Sequence, residues 1–475
     1  MTLKHEAAYI NGRWQSTNNT IAVDNPATQE VIGRVPNLDE SHIQQATDHA
    51  HTAWQHWREL PTTERGDYLM AWYHAIMAHQ DELAALMTEE QGKPLAEAKG
   101  EIAYGASFVK WFAEEARRAN GNTIPAMSRT QQITVIKQPV GVCAAITPWN
   151  FPNSMITRKA AAALAAGCTI IVKPASATPF SALALAQLAE DVGIPKGVFN
   201  VVTGKASMIA KVVTTDARVR KISFTGSTDV GRQLMQSAAT NIQRISLELG
   251  GNAPFIVFDD ADIDKAVAGA VAAKFRNNGQ TCVCVNRFYV HRSVLSSFES
   301  KLVAAVKALQ VGNGIESGVQ LGPLINNEAV QTYQQHIDDA LEHGGNLLYG
   351  NQAADGNFVQ PTVITNVSPK ARVCREETFA PLAAIVPFDS ETEVLDYANE
   401  SEYGLAGYFY SESVRRCWRV AMALEVGMVG INEGLISNAT APFGGIKASG
   451  LGREGAHDGL EEYLETKYLC FNFAD

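Results

Sequence analysis

The stretch VGVCAAITPWNFPNSMITRKAAAALAAGCTIIVKPAS, residues 140–176, decides the fold class. Residues 140–146 form a short, unbroken apolar run, which reads as a strand buried on both faces. The loop TPWNFP (147–152) follows, then an alanine-rich helix ending at Gly167, a second apolar strand at 169–172, and the loop KPAS (173–176). Working outward, the same grammar continues with a helix at 180–192, a strand at 199–202, a helix at 207–214 and a strand at 221–224. Continuous apolar strands separated by helices of this length imply parallel βαβ crossovers with both sheet faces covered. In such sheets ligands bind at the carboxyl ends of the strands, where the loops at 147–152 and 173–176 lie.

After Glu248 the pattern restarts. A strand is expected at 254–258, Asp259 and Asp260 suit the following helix N-terminus, and Gly279 can close that helix near residue 277. Gln280, Thr281 and Cys282 then lead into a strand at 283–290, so a second α/β unit is expected over 248–445. Upstream, about the first 115 residues read as mostly helical: 61–91 and 95–118 carry apolar residues at helical spacing, and Gly92-Lys93-Pro94 punctuates between them. Two segments, 122–137 and 463–473, alternate like strands and belong to neither unit. Exposed edges invite pairing, so these are expected to pair with each other or with another subunit. The division expected is 1–121 with 139–247, then 248–445, with 122–138 and 446–475 as a small separate element.

A length of 475 residues corresponds to about three domains' worth of chain. With 46% hydrophobic and 19% charged residues the composition is that of an ordinary globular protein. Lys plus Arg is 39 against 50 Asp plus Glu, net −11, which disfavours a general binder of nucleic acid or anionic membrane. The seven cysteines are scattered and form no CxxC pair, so neither a disulfide framework nor a zinc ribbon is supported. The longest apolar stretch, 160–172, is 13 residues, and a membrane span needs about 20. The N-terminus lacks the apolar core of a signal peptide. The expectation is a reduced, soluble, cytoplasmic protein with no metal centre.

Three residues could carry chemistry. Cys282, in FRNNGQTCVCV, sits just after a helix, where a thiolate in a polar, partly accessible site becomes a nucleophile; most buried cysteines, however, are inert small core residues. Glu248, in ISLELGGNAP, lies between two leucines and before two glycines, a setting in which desolvation can tune a carboxylate towards general-base work. Taken alone it reads more readily as a capping or ion-pairing residue. Asn150, in PWNFP, offers an amide N–H to an oxyanion, or simply a turn. No GxSxG elbow, HExxH zinc motif or Walker loop is present.

The strings PWNFP, KPAS, FTGSTDVG, LELGGNAP, GQTC, EETFAP and PFGGIKASGLGREG occur in this order over some 300 residues. Together they resemble the aldehyde dehydrogenase superfamily over essentially the whole chain. The resemblance implies an α/β fold with two doubly wound, Rossmann-like domains, one for the cofactor and one for catalysis, and a small β oligomerisation element serving a homodimer or homotetramer. It implies Cys282 as nucleophile, Glu248 as the base for the deacylating water, and Asn150 with the Cys282 backbone N–H as oxyanion donors. In that reaction the thiolate adds to the aldehyde, hydride leaves to a nicotinamide, and water hydrolyses the resulting thioester. Gly226, Ser227 and Gly231 in FTGSTDVG would meet the pyrophosphate at a helix N-terminus, and Trp149, Glu377 and Phe379 would contact the nicotinamide and its ribose. The sequence has Ala380 where the family commonly has Gly, so the backbone there is expected to differ. A formal GxGxxG at Gly450, Gly452 and Gly455 follows no strand and reads as a decoy.

Relatives that prefer NAD often carry Glu at the position of Ser176; here serine removes the repulsion of a 2′-phosphate and Lys173 adds a positive partner. NADP is expected to be preferred, with NAD usable. Within the superfamily, FSALALAQLAE, TCVCVNR, NEGLISN and APFGGIKASGLGREG resemble the succinate-semialdehyde dehydrogenase group. The substrate so implied is a small semialdehyde whose far carboxylate needs a cation, for which Arg158, Arg276 and the Ser437 hydroxyl are the candidates; each arginine could instead pair with a structural acid. Glutaric semialdehyde or a neutral aldehyde is the alternative within the class, and a thiol esterase making no use of nicotinamide the alternative outside it. Relatives with the CxC arrangement suggest a reversible Cys282–Cys284 disulfide.

Overall fold

In the computed structural model, which describes residues 3–473, the two decisive apolar runs become the strands Val142–Ile146 and Thr169–Lys173, every residue of which is buried. They lie at the centre of an eight-stranded sheet. Its order is Gly450–Leu451, Arg244–Glu248, Val219–Thr225, Val142–Ile146, Thr169–Lys173, Phe199–Val201, Ala8–Ile10 and Arg13–Gln15. The five middle strands run parallel. From Val142–Ile146 the chain winds outward through Thr169–Lys173 and Phe199–Val201, then returns to place Val219–Thr225 on the other flank. The strand order therefore reverses between Val142–Ile146 and Val219–Thr225, and a crevice opens beyond their carboxyl ends.

The second unit carries a seven-stranded sheet in the order Asn346–Tyr349, Thr362–Thr365, Leu382–Phe388, Val285–His291, Ala253–Val257, Ala406–Tyr410 and Met428–Ile431, parallel except for its first strand. Asp262 caps the helix Ile263–Phe275 through hydrogen bonds from the N–H groups of Asp264 and Lys265. The alternating segments pair with each other: Leu464–Asn472 runs antiparallel to Gln131–Pro139, which also takes Asn122–Ile124. Among the described residues no helix is long and apolar enough to cross a membrane.

Three expectations need correction. The N-terminal region opens with two short hairpins, at Ala8–Ile10 with Arg13–Gln15 and at Thr20–Asp24 with Val31–Pro36, before its first helix; strands this short carry too little periodicity to read. The helical pattern at 61–91 breaks at His79 into Thr62–Ala78 and Gln80–Gln91, where the His79 ring bonds back to the Ala75 carbonyl. Finally, only part of 446–475 belongs with the separate element. Gly450–Leu451 joins the first sheet against Leu247 and Glu248, and the helix Ala456–Glu461 packs on Ser154–Ala166 and Leu95–Glu115. The GxGxxG string thus forms a sheet edge and a helix start, with no βαβ context.

Candidate active site

The reversal in strand order positions the site. The loop after Val142–Ile146 supplies Trp149 and Asn150, and the turn after Val219–Thr225 supplies Gly226 and Ser227; all four line a cavity of about 200 Å³. The second unit closes it with Cys282, Glu377 and Phe379. Trp149 and Phe379 meet edge to face at 5.6 Å, and Phe379 holds a left-handed φ of 51° just before Ala380. Cys282 also lines a narrower pocket on its other side, with Arg158, Arg276, Ser437, Phe151 and Phe443. Arg276 reaches further, into a surface groove of about 350 Å³. One sulfur therefore stands between two cavities built by different parts of the chain.

Close packing sets the position of the Cys282 loop. A Cβ added to Gly251 would lie 2.5 Å from the Cys282 carbonyl oxygen, so only glycine lets the strand-to-strand turn after Glu248 approach the nucleophile loop. The Asn150 side-chain amide donates to the Gln280 carbonyl at 3.0 Å, which leaves its second N–H without a protein acceptor among the described residues. The Cys282 backbone N–H likewise has no protein acceptor among the described residues. Burial pushes the Cys282 thiol up to about 12, with Glu377 adding to the rise. Burial also pushes Glu377 up to about 8, against the opposing pull of the Gly251 N–H and Lys274.

Glu248 ends the strand Arg244–Glu248, is 2% exposed, and neither carboxylate oxygen has a hydrogen-bond partner among the described residues. Burial, with the Glu454 carboxylate beside it, holds Glu248 well above the usual carboxylate range. Burial works against ionisation of Glu454 too, but Lys159 and Arg158 outweigh it and keep that group low. Glu454 was not legible as a site residue, since nothing in GLGREG marks an acid that neutralises two buried cations; its only signal is membership of a quoted string.

The two arginines differ. Arg158 is buried, donates to Glu454 at 3.2 Å and to the Tyr104 hydroxyl at 2.8 Å, and stacks 4.7 Å from the Phe443 ring centre. It lines the pocket, but as a cation already paired with a structural acid. Arg276 is half-buried, rests 5.5 Å from the Phe151 ring centre, and has no carboxylate within ion-pairing distance among the described residues. Lys173 ends its strand buried and without a carboxylate partner among the described residues, and desolvation pushes its ammonium down to about 8. Ser176 is half-buried in the loop that follows.

Glu248, Lys173 and Ser176 line neither cavity, and two further candidates also fall outside them. Gly231 lies one turn into the helix Thr228–Ala238, its N–H bonded to the Ser227 carbonyl; a Cβ there would strike the Leu249 side chain at 2.5 Å. It serves helix-on-strand packing and offers no N–H to a phosphate. Cys284 is buried, lines neither cavity, and holds its Sγ 3.4 Å from the Lys274 Nζ and 3.4 Å from the Lys274 carbonyl oxygen.

Cys282 thus lines both a crevice at the strand reversal and an arginine-lined pocket, and whole-chain similarity gives the class of enzyme. The sequence matches the model of the aldehyde dehydrogenase family over residues 14–469, and the chain belongs to that family. It is 57% identical to glutarate-semialdehyde dehydrogenase of Pseudomonas putida, covering 99% of this chain and 98% of that one. It is 56% identical to succinate-semialdehyde dehydrogenase [NADP(+)] GabD of Escherichia coli, covering 98% of each. The crystal structure of an aldehyde dehydrogenase from Brucella melitensis biovar abortus superposes with a TM-score of 0.99 at 55% identity, over 100% of this chain and 98% of that chain.

Proposed function

We propose that the protein oxidises succinic semialdehyde to succinate with NADP, using Cys282 as the acyl-accepting nucleophile. The observation that carries this reading is that Cys282 lines both cavities, the second of them with Arg276, which makes no ion pair within 4 Å among the described residues. The nicotinamide end of the dinucleotide would enter the first cavity, which Ser227 lines at the start of the helix Thr228–Ala238; Lys173, buried at its strand end outside that cavity, lacks an anionic partner among the described residues. Trp149, Gly226, Ser227, Glu377 and Phe379 would hold it, with Lys173 and Ser176 beside the 2′-phosphate. When bound there it would accept the hydride released from the substrate carbon.

The chain's own groups do the rest. The Cys282 sulfur adds to the aldehyde carbon, and Asn150 Nδ2 and the Cys282 N–H receive the developing oxyanion. Glu248, whose carboxylate has no hydrogen-bond partner among the described residues, takes a proton from the water that hydrolyses the thioester. In this reading the eight-stranded unit binds the cofactor and the seven-stranded unit delivers the nucleophile. The three-stranded sheet joins copies in a homodimer or homotetramer, and its exposed Tyr468, Phe471 and Phe473 supply the apolar surface that contact needs. The acidic chain, −11 overall, works in the cytoplasm and gains its pull on an anionic substrate locally. Glutaric semialdehyde is the second reading, favoured by the 57% identical relative; one methylene changes affinity by only about 1–3 kcal/mol. Parallel kcat/KM values for succinic, glutaric and unbranched neutral aldehydes, each with NADP and NAD, test the assignment, and a preference for the neutral series would refute it.

Two substitutions probe the recognition directly. A hydrogen bond to a charged group contributes about 1.5–3 kcal/mol, so Arg276→Ala should raise KM for succinic semialdehyde roughly 10- to 100-fold and scarcely alter a neutral aldehyde. Arg158→Ala should instead lower the thermal midpoint and impair both substrates, because it leaves buried Glu454 short of a partner. Ser176→Glu places a carboxylate beside the proposed 2′-phosphate position. It should cut kcat/KM with NADP by about 10- to 100-fold and spare NAD; equal effects on both cofactors would remove Ser176 from the selectivity site.

A further inference from the structure

We propose that Asn277 is a positioning residue for the oxyanion site, its side-chain amide fixing the Asn150 loop against the nucleophile loop. The inference rests on the reading of Asn150 Nδ2 and the Cys282 N–H as the two donors. Those donors come from different units of the chain, and something must hold their spacing. Asn277 Nδ2 donates to the Asn150 carbonyl at 3.0 Å and to the Gln280 carbonyl at 3.1 Å. The Gln280 carbonyl also receives Asn150 Nδ2, at 3.0 Å. Asn150, Gln280 and Asn277 thus close a ring of hydrogen bonds immediately below Cys282.

The rest of Asn277 is anchored from a third direction, the helical segment before the first sheet. Its Oδ1 accepts from Gln91 Nε2 at 3.1 Å, and its backbone N–H donates to Glu97 Oε2 at 2.8 Å. The residue is 1% exposed and every polar atom of its side chain is engaged. Its backbone sits at φ 50°, followed by Asn278 at φ 55°, two successive non-glycine residues in the left-handed region. Such a conformation persists only where the surroundings over-determine it. Glycine would meet the backbone demand at least as well, so what asparagine adds is the amide. Aspartate would keep the shape and lose both N–H donors facing two carbonyl oxygens.

Misplacement of a reacting group by about 1 Å can cost about 10²-fold in rate. Asn277→Gly, in the full-length oligomer, is therefore expected to fold with a lowered thermal midpoint, since it leaves Gln91 Nε2 without its acceptor, and to lose about 10- to 100-fold in kcat, with KM for NADP unchanged. The decisive measurement is a double-mutant cycle with Asn150→Ala. In the Asn150→Ala background the glycine substitution should cost less than about 3-fold, because the donor it positions is already gone. If Asn277→Gly does not fold, the same cycle is run with Asn277→Asp, for which the same non-additivity is expected. Full, additive losses from the two substitutions, or no loss from Asn277→Gly, would overturn this inference and leave the oxyanion reading intact. Unimpaired turnover in Asn150→Ala alone would overturn both.

Discussion

Cys282→Ala is expected to reduce dehydrogenase turnover by about 10⁴-fold or more, to the level of background, as loss of a covalent nucleophile does elsewhere. The proposed substrate and cofactor contacts remain in that variant: Asn150, Glu377 and Arg276 do not depend on the sulfur for their placement. The fold and dinucleotide binding should accordingly survive, measured by thermal midpoint and by quenching of intrinsic fluorescence on titration with NADPH. Turnover persisting in pure Cys282→Ala protein would refute the covalent route. The wild-type thiol offers an independent check. Because burial pushes it up to about 12, its reactive thiolate fraction in the cofactor-free protein is small and grows with pH. Alkylation of Cys282 by iodoacetamide should then accelerate about tenfold per pH unit between pH 6 and 9. A rate already high and flat across that interval would mean that the thiol is not held in its neutral form.

Glu248→Gln has the second-largest expected effect, and a different signature. The amide keeps the shape of the group but cannot take a proton, so acylation should proceed and thioester hydrolysis stall. Rapid mixing should show a burst of reduced dinucleotide equal to the number of active sites, followed by a steady rate lower by about 10²–10⁴-fold, the usual contribution of a general base. A proportionate loss in burst and steady phases would place Glu248 elsewhere in the cycle. The pH dependence follows from the raised carboxyl. The base works only when ionised, so wild-type deacylation should climb with pH through the Glu248 ionisation, and the Gln variant should lose that climb. Stability moves the opposite way. A carboxyl whose folded pKa lies above its unfolded value, near 4.3 for Glu, keeps its full contribution below about pH 4 and loses it as pH rises towards the folded value. The Gln variant should therefore gain on wild type in thermal midpoint between pH 5 and pH 8.

The central strands and their helices were legible because a strand buried on both faces must be apolar throughout, and the runs at 140–146 and 169–172 are. Cys282, Glu248 and Asn150 were legible as candidates from residue type and local setting, and only the resemblance of the surrounding motifs to a family gave them roles. The hairpins before residue 37 were not, since a three-residue strand such as Ala8–Ile10 carries no readable period and is held by Arg13–Gln15 on one side and by the Tyr9–Val201 pairing on the other. Gly231 and Gly226 look alike in FTGSTDVG, and only packing separates the one under Leu249 from the one lining the cavity.

By itself, then, the sequence determined the class of fold, the order of its parallel crossovers and the short inventory of groups able to do chemistry, all of which follow from local periodicity and side-chain type. The tertiary structure alone decided that Arg158 pairs with Glu454 while Arg276 does not, that Glu248 has no partner among the described residues, and that Asn277 spans two loops. Those outcomes depend on contacts between residues one to three hundred positions apart, and the charge state of a buried group is set by whatever folds against it.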